Sequence, residues 1–170
     1  MTDNSLLEIL YFQVTDLWKR LCEKHSELYN LTCDEYSFLL KSDVENLDHS
    51  VSLKQELIHE INGLEQIRRD IIRQINQDLN YKIETVSQLL NLMQEFEEKN
   101  GRHYLKRFNS FLIEIIEKIQ GQNKKNQIFI NKALSSLKEI REEATGKKSY
   151  PTYTANGATT KSTTELFVRR

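Results

Sequence analysis

Apolar residues recur along the first forty positions at alternating steps of three and four. Leu7, Leu10, Val14, Leu17, Leu21, Leu28 and Leu31 form one stripe that only Lys24 interrupts. That period places them on one face of an α-helix. Ser5, with Glu8 three residues later, reads as a capping box at its start. The pattern continues through Tyr36, Leu39 and Leu40 to the segment KSDVE. There Ser42, followed by Asp43 and Glu45, reads as a helix restart with acids in the first turn. A second stripe then carries Leu47, Val51, Leu57, Ile61, Leu64, Ile71 and Ile75. Each helix spans ~30 to 40 residues, or ~45 to 60 Å. Helices this long cannot form a ball, so the two are expected to pair along their length as an antiparallel hairpin.

The segment NQDLN, residues 76–80, weakens the helical reading, because Asn and Asp compete with the backbone for its hydrogen bonds. Val86, Leu89, Leu90, Met93 and Phe96 make a shorter apolar face that ends at EEKNGRH, with Gly101 as C-cap. A further helix is expected from about Tyr104 to Glu143. Its seam reads Leu112, Ile116, Ile119, Asn123, Asn126, Ile130, Ala133, Leu137 and Ile140, with Gly121 inside it. Gly146 and Pro151 punctuate the end. The expected fold is therefore all-α: an elongated antiparallel helical hairpin or bundle of coiled-coil character, with a long C-terminal helix. The helical domain is drawn at 1–145. Residues 146–170 are expected to be a disordered tail, rich in Thr and nearly without aliphatics before Leu166, Phe167 and Val168.

A chain of 170 residues with one Pro and five Gly fits one domain built from few, long elements, plus its tail. The net charge of −1 divides into +4 for residues 145–170 and −5 for the body, which gives no global attraction to nucleic acid or an anionic membrane. No apolar run approaches the ~20 residues needed to span a bilayer, and the N-terminus lacks the basic and cleavage features of a signal peptide. Cys22 and Cys33 lie on different turns of one helix, too far apart to bridge, and are expected to be reduced.

Chemistry at these residues is sparse. Glu56 and His59 form one Glu-x-x-His pair, whereas di-metal bundles need two such pairs and two further carboxylates. Cys22 and His25 cannot complete a zinc site alone. His59 lacks the tight Lys-Gly neighbourhood of a phosphotransfer histidine, and the isolated glycines form no phosphate loop. No catalytic residue, metal site or cofactor is expected.

The stretch KQELIHEINGLEQIRR, Lys54 to Arg69, has the layout Lys-x-x-Leu-Ile-x-x-Ile-x-x-Leu-Glu-x-x-Arg-Arg. Before it, EYSFLLKSDVENL places Glu35, Leu39, Leu40, Asp43 and Leu47 as an acidic and apolar lead-in. After it come Asn123-x-x-Asn126 in the long helix and Tyr153-x-x-x-Gly157 in the tail. Together these resemble flagellar export chaperones of the FlgN type over about residues 30–75 and 115–158. Residues 76–114 carry no motif of the resemblance. It implies a cytoplasmic, non-enzymatic chaperone that holds hook-associated junction proteins by their C-terminal helical segments. It further implies delivery of those clients to the cytoplasmic domain of the export-gate protein FlhA, with Tyr153 and Gly157 as docking residues.

The apolar pattern offers a matching surface. Phe108, Phe111, Ile115 and Phe129 lie beside the seam, so the last helix is apolar over more than one hairpin partner covers. Two readings follow: a client surface, or the third helix of a closed bundle. On the first, client contacts are expected from Phe111, Ile115, Ile119, Asn123, Asn126, Ile130 and Leu134, with the two amides fixing the register of the bound helix. The protein would then rest as a monomer or weak dimer. The alternative function is a structural coiled-coil adaptor that oligomerises through the same seam.

Overall fold

The computed structural model describes the backbone of residues 3–153 and 159–165 and the side chains of residues 4–146. Four helices, α1 (Asp3–Lys41), α2 (Val44–Asp78), α3 (Val86–Lys99) and α4 (Tyr104–Thr145), precede two strands, β1 (Lys147–Tyr153) and β2 (Thr159–Glu165). The chain divides into two units, Met1–Asn126 and Gln127–Arg170. Composition changes at Gly146, whereas packing changes inside α4.

In the first unit α1 and α2 form the antiparallel hairpin their stripes call for. Ion pairs cross between them at Lys24–Glu60 (2.6 Å) and Lys54–Glu35 (2.9 Å). Between the helices Ser42 takes a left-handed conformation, with φ of 55°. The cap of α2 is Asp43 rather than Ser42, and its carboxylate accepts from the Asn46 backbone N–H (3.2 Å) and side-chain amide (2.7 Å). Those two donors hold the Asp43 carboxyl below its ordinary pKa. α1 begins at Asp3, so the expected cap Ser5 falls inside its first turn.

Asn76 remains helical and clamps the chain that follows. Its side chain donates to the Ile83 carbonyl and accepts from the Ile83 N–H, both at 2.8 Å. α3 then opens on a Thr85–Gln88 capping box and closes at Asn100, with Gly101 at φ 63° satisfying the left-handed exit.

The core joins four helices. Leu10, Val14, Leu17 and Leu21 meet Leu57, Ile61, Leu64, Ile71 and Ile75 from α2, Leu89, Met93 and Phe96 from α3, and Leu105, Leu112, Ile115 and Ile119 from α4. α4 runs parallel to α1: Trp18 donates to Asn109 (3.1 Å) near its start, and Asn126 donates to the Thr32 carbonyl (2.9 Å) further along both helices.

The entry of α4 is set by a buried carboxylate on the preceding helix. Glu97 is 1% exposed. It accepts from the Tyr11 hydroxyl (2.7 Å) and from the backbone N–H groups of Leu105 (2.5 Å) and Lys106 (3.2 Å). A negative charge at a helix N-terminus is stabilised by the exposed amides and the helix dipole. Here the cap comes from another helix, and Tyr11 adds α1 to the joint. The Arg102 guanidinium lies over the rings of Tyr11 (5.8 Å) and Phe12 (5.0 Å) and pairs with Glu8 (3.3 Å).

The second unit also contains a two-stranded antiparallel ribbon, with Lys147 opposite Glu165 and Tyr153 opposite Thr159. Thr159, Thr160, Thr163 and Thr164 are β-branched, which suits extended backbone. Pro151 is tolerated because each strand of a two-stranded ribbon has a free edge. Such a ribbon alone is only marginally stable in water.

Burial raises the Tyr11 hydroxyl from 10.0 to about 12, with the bond to Glu97 adding to it, and burial raises the Cys22 thiol from 9.0 to about 11. Both groups fold in their neutral forms, so they stabilise fully below their ordinary pKa and cease to do so as pH passes their folded values. The thermal midpoint is therefore expected to fall from about pH 9 to about pH 12. Tyr11→Phe should flatten the part of that decline above pH 10, as melting followed by circular dichroism across this range would reveal.

Candidate functional site

The α4 seam divides into an inner and an outer half. Inner residues Ile115, Ile119 and Asn126, expected among the client contacts, are buried within the first unit. They pack as part of its third long helix, because α4 lies along α1 up to this point. The Asn126 amide donates to the Thr32 carbonyl and accepts from Gln122 (2.9 Å). Thr32 is itself fully buried, with its hydroxyl on the Leu28 carbonyl (2.7 Å). A buried amide at a seam position does fix register here, but the register is that of α4 on α1 within one chain.

Asn123 is exposed and accepts from Lys54 Nζ at 3.0 Å. The same ammonium reaches Glu35 at 2.9 Å, with both side chains under a fifth exposed. Three stretches far apart in sequence thus meet at one ion. Arg68 pairs with Glu65 (2.7 Å), and Arg69 bonds Gln66 (2.8 Å).

Beyond Asn126 the helix continues for roughly five turns. There Ile130 is half-buried, while Leu134, Leu137 and Ile140 are 59%, 62% and 61% exposed. These positions recur at three- and four-residue steps, so they form one apolar stripe open to water. Isolated apolar side chains on a surface need no explanation, whereas a periodic stripe is a candidate partner face. Phe111, the other exposed apolar member of the expected set, lies in the first unit. With Phe108 and Cys22 it lines a groove of about 640 Å³ between α1 and α4, rimmed by Lys19, Glu23, Glu27 and Arg107. Tyr153 ends β1 opposite Thr159, and Gly157 lies outside the described residues.

None of this resembles a reaction centre. The Cys22 thiol, raised to about 11 and bonded to the Phe108 carbonyl at 3.2 Å, carries almost no thiolate at neutral pH. Glu56 and His59 both face solvent. Among the described residues no group of three or more His, Cys, Asp or Glu side chains is placed to hold a metal, and no helix is long and apolar enough to cross a membrane.

The features that remain are helical shielding surfaces and the junction at Lys54. The family model described as FlgN protein matches residues 1–161. The chain belongs to the FlgN family. FlgN proteins are chaperones of flagellar export, a family with no known enzymatic activity. Neither a curated protein nor a solved structure matches the chain.

The FlgN-like stretches can now be seen in space. Glu35, Lys54 and Asn123, one from each stretch of the body, converge on a single polar junction, and Asn126 anchors the following turn. Their visible work is to join α1, α2 and α4. Sequence reasoning missed Glu97, Tyr11, Arg102 and the Trp18–Asn109 bond. Each is a single polar or aromatic residue in a helical run or, for Arg102, in the loop between α3 and α4, and its partner lies more than 85 positions away or in another helix. Only the capping distance from Glu97 to Leu105 is short enough to have been sought in sequence.

The two halves of the seam should respond differently to a charge. Ile119→Asp buries a carboxylate in the core and should cost ~3 kcal/mol or more. Leu137→Asp, on the open stripe, should change stability by no more than ~0.5 kcal/mol. Chemical denaturation of the two variants would decide. Equal losses would show that the outer stripe is also packed.

Proposed function

We propose that this FlgN protein acts in the cytoplasm as a chaperone of hook-associated junction proteins, shielding their C-terminal helical segments and delivering them to the cytoplasmic domain of the export-gate protein FlhA. The observation that carries the first step is the apolar stripe on the outer half of α4, with Ile130 half-buried and Leu134, Leu137 and Ile140 exposed. An amphipathic client helix laid against it buries both apolar faces, the usual mode for helix-in-groove recognition. Clients of this kind aggregate through the same faces when unshielded, so the exchange protects them until secretion. Of the residues expected from sequence, Ile130 and Leu134 belong to this surface. Ile115, Ile119 and Asn126 become available only if α4 leaves the body.

Binding of the full chain to the C-terminal segment of a hook-associated protein tests this. The double variant Leu134→Asp/Leu137→Asp should lose at least ~100-fold in affinity, as two buried leucines of ~1.5 kcal/mol or more each would give. Its melting midpoint should stay put. Undiminished client binding would refute the surface. A wild-type chain that sediments only as a stable oligomer, with the stripe protected in every copy, would favour the coiled-coil adaptor instead.

For delivery, we place the gate contact at Tyr153, which ends β1 beside the segment containing Gly157. An aromatic residue on a ribbon that is marginal by itself suits insertion into a pocket of another protein. Tyr153→Ala should leave melting and client affinity unchanged while weakening FlhA binding by ~2 kcal/mol, roughly thirtyfold. Titration with the FlhA cytoplasmic domain checks this, and an unaltered isotherm would end the assignment.

A further inference from the structure

The α1–α2 hairpin carries a groove that neither the core nor the α4 stripe uses. Two lobes, of about 360 and 380 Å³, share Glu60 at their border. One is walled by Arg20, Glu23, Lys24, Gly63, Leu64 and Ile67. The other is walled by Glu27, Asn30, Leu31, Leu53, Glu56 and Leu57. On each helix these positions step by three and four, so the lobes form one trough along both helices, ~20 Å long on α2. Its floor is apolar, with Leu57 and Leu64 buried and Leu53 and Ile67 38% and 40% exposed.

Gly63 is the second observation. It stands in the middle of α2, where glycine weakens a helix. The fold does not require it: a Cβ built there meets nothing within 4 Å. A residue that costs helix stability and serves no internal packing leaves room for something to approach from outside. Charge indicates what. The walls hold four carboxylates, Glu23, Glu27, Glu56 and Glu60, against Arg20 and Lys24. Lys24 is already committed to Glu60 at 2.6 Å and Glu27 at 3.5 Å. Glu23 pairs with Lys19 only at 4.0 Å, and Glu56 has no ion-pair partner among the described residues and faces solvent.

We infer that this trough is a second docking site, for an amphipathic helix of a partner protein that carries basic residues beside a narrow apolar strip. The strip lies over Leu53, Leu57, Leu64 and Ile67, its backbone comes closest at Gly63, and its cations meet Glu56 and Glu23. The trough shares no residue with the outer stripe of α4.

The test uses the full chain and two labelled synthetic helices of about 18 residues, long enough to span the trough. Both carry a Leu/Ala strip, one flanked by Lys and the other by Glu. Anisotropy titration should show binding of the basic helix, weakened by salt, and at least roughly tenfold weaker binding of the acidic one. Gly63→Gln should raise the melting midpoint, because it replaces glycine in a helix without a clash, yet weaken the basic helix by roughly tenfold or more. Glu56→Lys should weaken it too, and Leu134→Asp/Leu137→Asp should leave it bound. Equal binding of the two helices, or indifference to Gly63→Gln, would overturn the site. Self-association of the chain that Gly63→Gln abolishes would also overturn it, by assigning the trough to a second copy.

Discussion

A carboxylate removed from water is costly unless donors replace its hydration. Glu97 is fully buried and receives three: the Tyr11 hydroxyl and the first free amides of α4 at Leu105 and Lys106. The cap supplied by α3 fixes where α4 starts, and Tyr11 fixes that start against α1. Once the start and direction are set, α4 must run parallel to α1. Its inner half then completes the core with Leu112, Ile115 and Ile119. Its outer half belongs to the second unit and carries a stripe of exposed apolar side chains at Leu134, Leu137 and Ile140.

Long helices with leucine and isoleucine stripes pack favourably in more than one register, because each turn resembles the next. Here polar contacts select one. Trp18 with Asn109, Lys54 with Glu35 and Asn123, and Asn126 with Thr32 form successive ties along the interface. Each leaves a buried or half-buried polar group unpaired if the helices slide, and that penalty exceeds the modest net gain of the bond itself. The FlgN-like residues of the body belong to this set. They specify how the helices of the body are assembled.

That division suits a protein that must stay folded while it exchanges partners. Among the described residues its interior offers neither an ionised thiol nor a metal site. What it presents is apolar area at helical spacing, on the outer half of α4 and along the α1–α2 trough. Helical surfaces of this kind bind other helices through burial, and the charges at their edges choose among partners.

The helices themselves were legible without coordinates. Three-and-four periodicity located all four, the break at Ser42–Asp43 and the glycine exits at Gly101 and Gly146, since burial on one face and backbone chirality act locally. The motif order from Glu35 to Tyr153 pointed to the family. Periodicity was silent on which apolar face meets which neighbour. Ile119 and Leu137 occupy equivalent positions on one seam, yet the first is core and the second is open to water. The same holds for Asn126, whose amide reads identically whether its partner is Thr32 or a client. The deciding contacts join residues more than 85 positions apart, and only the folded chain brings them together. Local sequence thus determined what each helix would bury. Tertiary structure decided against what, and how much of α4 was left over.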